Sequence, residues 1–138
     1  MKREKKYFTQ WASQFYVAAE LVRRGYLVSL SFGNAPVVDL LVQSPKGILF
    51  TIDVKGQTTK NFWLIQRREA APNHYFVFVY LPKNGTPEYF IASSNEVMND
   101  REEYRKRKET KGKYRDDFGG FNWATVLKYK DRWNILPE

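Results

Sequence analysis

The sequence predicts a single α/β domain of 138 residues, built from a mixed sheet of four to five strands flanked by helices. Three observations lead to this prediction. Residues 5–24 carry apolar side chains at the spacing of an amphipathic helix. Residues 37–57 contain two alternating apolar runs joined by a short turn, as in a hairpin. Residues 75–81 are continuously apolar and rich in aromatic and β-branched residues, which is typical of a central strand buried on both faces.

The first predicted helix, over residues 5–24, ends at Gly25, a residue type that commonly closes helices. One stripe of this helix, which we expect to face the sheet, contains Tyr7, Trp11, Gln14, Ala18 and Leu21. Glu20 lies on another side, together with Ser13, and we expect it to pair with Arg24 four residues later. Residues 26–32 alternate apolar and small polar side chains and are predicted to form the first strand.

The hairpin predicted over residues 37–57 places two carboxylates close together. With the turn centred near Lys46, the apolar pairs across the hairpin are Val42 with Phe50, Leu40 with Ile52, and Val38 with Val54. The opposite face then places Asp39 across from Asp53, with Lys55 two residues further along. Directly opposed side chains have Cβ atoms only about 5 Å apart, so these two charges repel each other. We therefore interpret the pair as a site for a hard divalent cation.

This pattern, Val38-Asp39 followed by Asp53-Val54-Lys55, resembles the motif of the PD-(D/E)XK nuclease superfamily. Residues 14–36 (QFYVAAELVRRGYLVSLSFGNAP) resemble the first helix and strand of its small restriction-like and resolvase-like members. The resemblance covers about residues 10–92, with a weaker likeness at Asp131-Arg132-Trp133. It implies a restriction-endonuclease-like fold and cleavage of DNA phosphodiester bonds that depends on Mg²⁺ or Mn²⁺.

The resemblance also implies roles for individual residues. Asp39 and Asp53 would bind the metal ion, with the backbone carbonyl of Val54 as a further ligand. Lys55 would position the attacking water or stabilise charge on the phosphate. Gln57 follows the motif, and we include it among the candidate catalytic residues because its amide is expected to contact backbone phosphate.

The sequence departs from the superfamily pattern on the first helix. Members usually carry a glutamate about eleven residues before the glycine that ends this helix, and the corresponding residue here is Gln14. A glutamine can orient a water or a phosphate, but it brings no charge to a metal ion. Gln14 is therefore either a candidate catalytic residue or an ordinary buried amide.

Composition excludes several other kinds of site. The chain has no cysteine and one histidine, His74, which excludes disulfide scaffolds, thiolate zinc sites and histidine-rich metal sites. We expect His74 to be structural. The N-terminal residues are basic without a following apolar segment, and no apolar run is long enough to span a membrane, so a cytoplasmic protein is expected.

The formal net charge of +8 favours a polyanionic partner, and DNA is the partner that the motif suggests. Residues 101–115 contain eight basic side chains and three acidic ones, and a helix is predicted over residues 95–108. The candidate nucleic-acid contacts are Lys60, Arg67, Arg68, Arg105, Lys106, Lys108, Lys111 and Lys113. The alternative for the basic stretch is a solvated helix tail.

The function predicted from these features is a divalent-metal-dependent DNA endonuclease. Two alternatives stay open: a weakly active or inactive nucleic-acid-binding module on the same fold, and an RNA-binding domain with stacking aromatic side chains. A nuclease of this size has one active site per chain. Cleavage of both strands of a duplex would therefore require a homodimer or a larger homo-oligomer.

Overall fold

The structure, a computed structural model, describes residues 2–30, 38–110 and 119–138. Its helices and strands, in chain order, are α1 (Lys2–Arg23), β1 (Leu27–Leu30), β2 (Leu40–Gln43), β3 (Leu49–Gln57), β4 (Trp63–Leu64), β5 (His74–Tyr80), β6 (Glu88–Ser93), α2 (Ser94–Thr110) and β7 (Gly120–Phe121). Two 3₁₀ helices, Trp123–Tyr129 and Trp133–Ile135, follow β7.

The main sheet has five strands in the order β1-β2-β3-β5-β6. The β3–β5 pair is parallel and the other three pairs are antiparallel. Strands β4 and β7 form a separate antiparallel pair. The prediction of an α/β protein with a mixed sheet flanked by helices is therefore confirmed, whereas the finer prediction of a restriction-endonuclease-like fold stays a prediction.

The hairpin of β2 and β3 has the register that the apolar pattern predicts. Leu40 pairs with Ile52, and Val42 pairs with Phe50. The third predicted pair is not part of the ladder, because Val38 lies before the start of β2. The turn is closed by a hydrogen bond from the backbone N–H of Ile48 to the Ser44 hydroxyl, at 2.9 Å. The ladder thus ends beside the Asp-x-Lys segment of β3.

Apolar side chains cover both faces of the sheet. Val17 and Leu21 of α1 pack on one face, against a cluster that includes Ile52, Val54 and Val77. The other face carries a second cluster, whose members include Trp63, Phe76, Phe78, Val97 and Phe121. The strands β3 and β5 therefore lie in the interior, and β3 carries its polar motif into a partly buried setting.

Helix α1 approaches β3 closely at a glycine. A Cβ atom added to Gly56 would lie 1.9 Å from Oγ of Ser13. Ser13 is fully buried, although its helical position predicts that it lies with Glu20, away from the stripe that faces the sheet. Tyr7 is also placed differently from the prediction, because its side chain is 63% exposed. The buried stripe of α1 therefore runs through Ser13, Gln14, Val17 and Leu21.

The remaining local predictions agree with the structure apart from their boundaries. Glu20 pairs with Arg24 at 3.0 Å, as predicted, and also with Arg23. The first strand is shorter than predicted, and residues 31–37 lie outside the described residues.

Helix α2 begins with a reciprocal capping pair. Oε1 of Glu96 accepts from the N–H of Ser93, and the hydroxyl of Ser93 accepts from the N–H of Glu96.

Candidate active site

Asp39 lies just before β2, where the hairpin ladder stops. Its Oδ2 accepts a hydrogen bond from the backbone N–H of Val54 at 2.8 Å, and its Oδ1 accepts one from Nε2 of Gln14 at 3.3 Å. Val54 stands between Asp53 and Lys55 in β3. The side chain of Asp39 is therefore held directly against the Asp-x-Lys segment.

The charge of Asp39 is sensitive to its surroundings. Its pKa lies above the usual value, mainly because the carboxyl group is buried, and the negative charge of Asp53 raises the pKa further. The Val54 N–H and the positive charges of Lys55 and Arg68 act in the opposite direction. The predicted site residues Asp39, Asp53 and Lys55 are thus near enough for their charges to interact. An added cation would stabilise the charged form of a carboxylate in this setting.

Asp53 already has a cationic neighbour. Nη2 of Arg68 donates a hydrogen bond to Oδ2 of Asp53, and Nε2 of His74 lies 3.6 Å from the same oxygen. Burial of Asp53 favours a higher pKa, but His74 and Arg68 outweigh it and hold the pKa below the usual value. Arg68, a candidate phosphate contact in the sequence, is therefore also an ion-pair partner of the motif.

His74 connects this ion pair to the sheet. Nη2 of Arg68 lies 2.8 Å from Nε2 of His74. On the other side of the ring, Nδ1 of His74 lies 2.6 Å from the Thr51 hydroxyl. The side chain of His74 is buried. Sequence reasoning missed this cluster, since it depends on the parallel pairing of Thr51 in β3 with His74 in β5.

Gln14 is buried against Asp39, and only one end of its amide is paired. Nε2 donates to Asp39, whereas Oε1 has no hydrogen-bond partner in the described part of the chain. A buried polar atom without a partner costs about 1–3 kcal/mol. An unpaired oxygen beside a carboxylate is a suitable position for a metal ion or a water molecule. The structure thus brings Gln14 to the site, as its helical spacing predicts.

Gln10, one turn before Gln14, was not among the predicted residues. Its Nε2 donates to the carbonyl oxygen of Val54 at 2.7 Å. The N–H of Val54 is bound by Asp39, so side chains satisfy both backbone polar groups of Val54. The carbonyl predicted as a metal ligand therefore has a protein partner. The signal that could have revealed Gln10 is its i,i+4 spacing from Gln14.

The candidate ligands for a divalent cation are all oxygen atoms, the ligand type that hard cations prefer. They come from the carboxylates of Asp39 and Asp53 and from the unpaired Oε1 of Gln14. Across residues 2–30, 38–110 and 119–138, no three His, Cys, Asp or Glu side chains lie close enough together to hold a metal ion. The candidate ligands are thus two carboxylates and one neutral amide, and Mg²⁺ commonly keeps water molecules as its remaining ligands.

Lys55 and Gln57 lie further along β3. Lys55 lines a cleft of about 570 Å³. Gln57 uses both ends of its amide within the following loop. Its Oε1 accepts from the N–H of Asn61 at 3.0 Å, and its Nε2 donates to the carbonyl of Phe62 at 3.1 Å. Gln57 therefore shapes the loop after the motif.

The predicted nucleic-acid contacts fall into different environments. The ammonium group of Lys60 lies 4.9 Å from the centre of the Trp123 ring and 5.6 Å from that of Tyr80. Arg67 is exposed and lines the same cleft as Lys55. Lys111 and Lys113 lie outside the described residues.

Helix α2 presents its basic side chains unevenly. Lys106 is exposed, Arg105 pairs with Glu102, and Lys108 lies 5.5 Å from the ring centre of Tyr104. Arg101, which opens the predicted basic stretch, is only 4% exposed, and its Nε donates to the carbonyl of Ile65 at 2.7 Å. Arg101 is therefore part of the packing and not of an exposed basic surface.

Comparison of the chain with models of protein families, with curated proteins and with solved structures gave no match. Among the described residues, no helix combines the length and the apolar character that a membrane crossing requires. We therefore infer function from the geometry of the site.

Proposed function

We propose that this protein is a divalent-metal-dependent endonuclease that hydrolyses phosphodiester bonds in DNA, as its resemblance to the PD-(D/E)XK superfamily implies. The observation that carries the proposal is the bond between Asp39 and the N–H of Val54. It holds one carboxylate against the segment that contains Asp53 and Lys55. Two acidic groups and a lysine in one partly buried place are the groups that metal-assisted phosphodiester hydrolysis needs.

Asp39, Asp53 and Gln14 would hold Mg²⁺ or Mn²⁺. When bound, the ion supplies a polarised water and positive charge beside the phosphate. Gln14 contributes its unpaired Oε1, and its Nε2 fixes the orientation of Asp39. Because Gln14 is neutral, the site has one negative charge fewer than a glutamate-bearing site, and we expect weak binding of Mg²⁺ and a preference for Mn²⁺.

Lys55 would offset the negative charge that develops on the phosphate oxygens, or hold the attacking water in position. The positive charge of Lys55 acts on Asp39 and lowers the pKa of that carboxyl group. Arg68, which pairs with Asp53, would be a second positive charge near the same phosphate. The net charge of +8 would attract DNA to this surface. Cleavage of both strands would need two copies of the chain.

A second function has a specific observation in its favour. The Asp53 carboxylate is already paired with Arg68, and the amide of Gln14 replaces a charged ligand. Both features reduce the need of the site for a metal ion. A module that binds nucleic acid without cutting it is therefore the alternative, and it differs from the first proposal in catalysis alone.

Cleavage assays separate the two functions. Plasmid, branched and single-stranded DNA are incubated with Mg²⁺, Mn²⁺ or EDTA, using the parent protein and the variants Asp39→Asn, Asp53→Asn and Glu103→Gln. We expect metal-dependent cleavage that both aspartate variants abolish. Glu103 is an exposed carboxylate on α2, and its variant should cut normally. Binding of DNA without cleavage under every metal condition would favour the non-catalytic module.

A further inference from the structure

A cleft of about 570 Å³ opens beside Lys55. Three cationic side chains line it, Lys55, Arg67 and Arg101, and Gln66 adds an amide. No Asp or Glu is among the described residues that form its wall. The wall therefore presents positive charge and hydrogen-bond donors to whatever enters the cleft.

Arg101 is a fixed part of this wall. Its Nε donates to the carbonyl of Ile65 at 2.7 Å, and the N–H of Ile65 donates to the carbonyl of Gly119 at 3.0 Å. Gly119 leaves room for the guanidinium, because a Cβ at that position would lie 2.0 Å from Nη2 of Arg101. The buried guanidinium is thus held in place before any ligand arrives. Such preorganisation lowers the entropic cost of binding.

We propose that this cleft binds a phosphate group of a nucleic-acid strand, next to the phosphodiester at Asp39 and Asp53. The planar guanidinium of the exposed Arg67 matches phosphate oxygens in geometry and charge, and the buried Arg101 adds fixed positive charge to the wall. The volume of the cleft leaves space for the sugar attached to that phosphate. Lys55 belongs to both the cleft and the motif, so a strand bound at the motif would also pass the cleft. The proposal therefore rests on the proposed nuclease function.

Two sources of phosphate share this chemistry: an internal phosphodiester and a terminal phosphomonoester. A thymidine dinucleotide with a 5′-phosphate carries both groups, and the same dinucleotide without it carries only the phosphodiester. Titration of both probes in EDTA, followed by calorimetry or NMR, measures binding without cleavage.

The variants are Arg67→Gln and Arg101→Lys, and Lys46→Gln at the turn of the hairpin serves as the control. We expect Arg67→Gln to weaken binding of the dinucleotide by about tenfold, which corresponds to the loss of one charge-assisted contact. Lys46→Gln should bind like the parent protein. Tighter binding of the 5′-phosphorylated probe would identify a terminal phosphate as the ligand. Equal binding of the two probes would identify the internal phosphodiester as the ligand.

The proposal fails if the parent protein binds neither probe, or if Arg67→Gln binds them as tightly as the parent does. Arg67 is exposed, so its variant should fold even if Arg101→Lys does not. Cleavage of DNA is recorded separately with Mg²⁺ or Mn²⁺. Phosphate binding without cleavage would overturn the proposed nuclease function but not the proposed phosphate site. Cleavage without phosphate binding would overturn the proposed phosphate site but not the nuclease function.

Discussion

Arg68 and Asp53 form an ion pair that ties the segment between β4 and β5 to the motif strand. Both side chains are partly buried, so the pair is screened less than one on the surface. A metal ion that binds Asp53 must share this carboxylate with Arg68 or displace it. Arg68 would therefore compete with a metal ion for Asp53.

Removal of this competitor should strengthen metal binding. We expect Arg68→Gln to increase the affinity for Mn²⁺ by about tenfold, or about 1.4 kcal/mol, because Asp53 loses its positive partner. Calorimetric titration of Mn²⁺ measures the change. Arg23→Gln, which removes an exposed arginine of α1, is the control and should not alter the affinity. An unchanged affinity in Arg68→Gln would show that Asp53 is not a metal ligand.

Gln14→Glu tests the departure from the superfamily pattern. The new carboxylate would face Asp39 in a buried position, so the metal-free variant should melt at a lower temperature than the parent. Added Mg²⁺ should raise the melting temperature of the variant more than that of the parent, because the cation relieves the repulsion. Gln43→Glu, on the exposed face of β2, is the matched control. An identical response to Mg²⁺ in parent and variant would place Gln14 outside the metal site.

Gly56 is required for the close packing of α1 on β3. Gly56→Ala should destabilise the fold by about 1–3 kcal/mol, because its Cβ would overlap the side chain of Ser13. Ser13→Gly removes the overlapping atoms, so the double variant should recover part of the loss. Urea unfolding of both single variants and the double variant gives the coupling energy. Additive losses would contradict the direct contact.

Glu96 should make stability depend on pH. Its pKa is lowered in the folded protein: burial opposes the shift, but the Ser93 N–H and Arg132 outweigh burial. The folded state therefore binds fewer protons than the unfolded state. The stabilising contribution is present above the ordinary glutamate pKa and is lost as pH falls through the lowered value.

The matching variant is Glu96→Gln, which retains a hydrogen-bond acceptor but no charge. It should lose about 1 kcal/mol of stability at pH 7, in the range of helix-capping interactions, and the difference from the parent should shrink at acidic pH. Urea unfolding at several pH values measures it, with Glu103→Gln as the exposed control. A difference that is independent of pH would mean that the charge of Glu96 does not stabilise the fold.

The sequence predicted those parts of the structure that depend on nearby residues. The register of Leu40 with Ile52 follows from alternation on both sides of a short turn, and the pairing of Glu20 with Arg24 follows from helical spacing. The helical position of Gln14 likewise directs it towards Asp39. These features depend on geometry that a single helix or hairpin determines.

The parts that the sequence did not predict depend on contacts between distant segments. The contact of Arg68 with His74 and Asp53 requires the parallel register of β3 and β5, which no local pattern encodes. The burial of Arg101 depends on Ile65 and on Gly119, which are distant in sequence, and charge alone suggested an exposed surface. Tyr7 was expected to face the sheet, but the buried stripe of α1 runs closer to Ser13.

The capping of Val54 by two side chains has a consequence for self-association. Beyond the end of β2, the N–H and C=O of Val54 would form an open strand edge, and Asp39 and Gln10 occupy both groups. An open edge is a template on which another chain can add a strand. Asp39 and Gln10 therefore also keep β3 from pairing with neighbouring molecules, and we expect the loss of either side chain to make the protein more prone to aggregation.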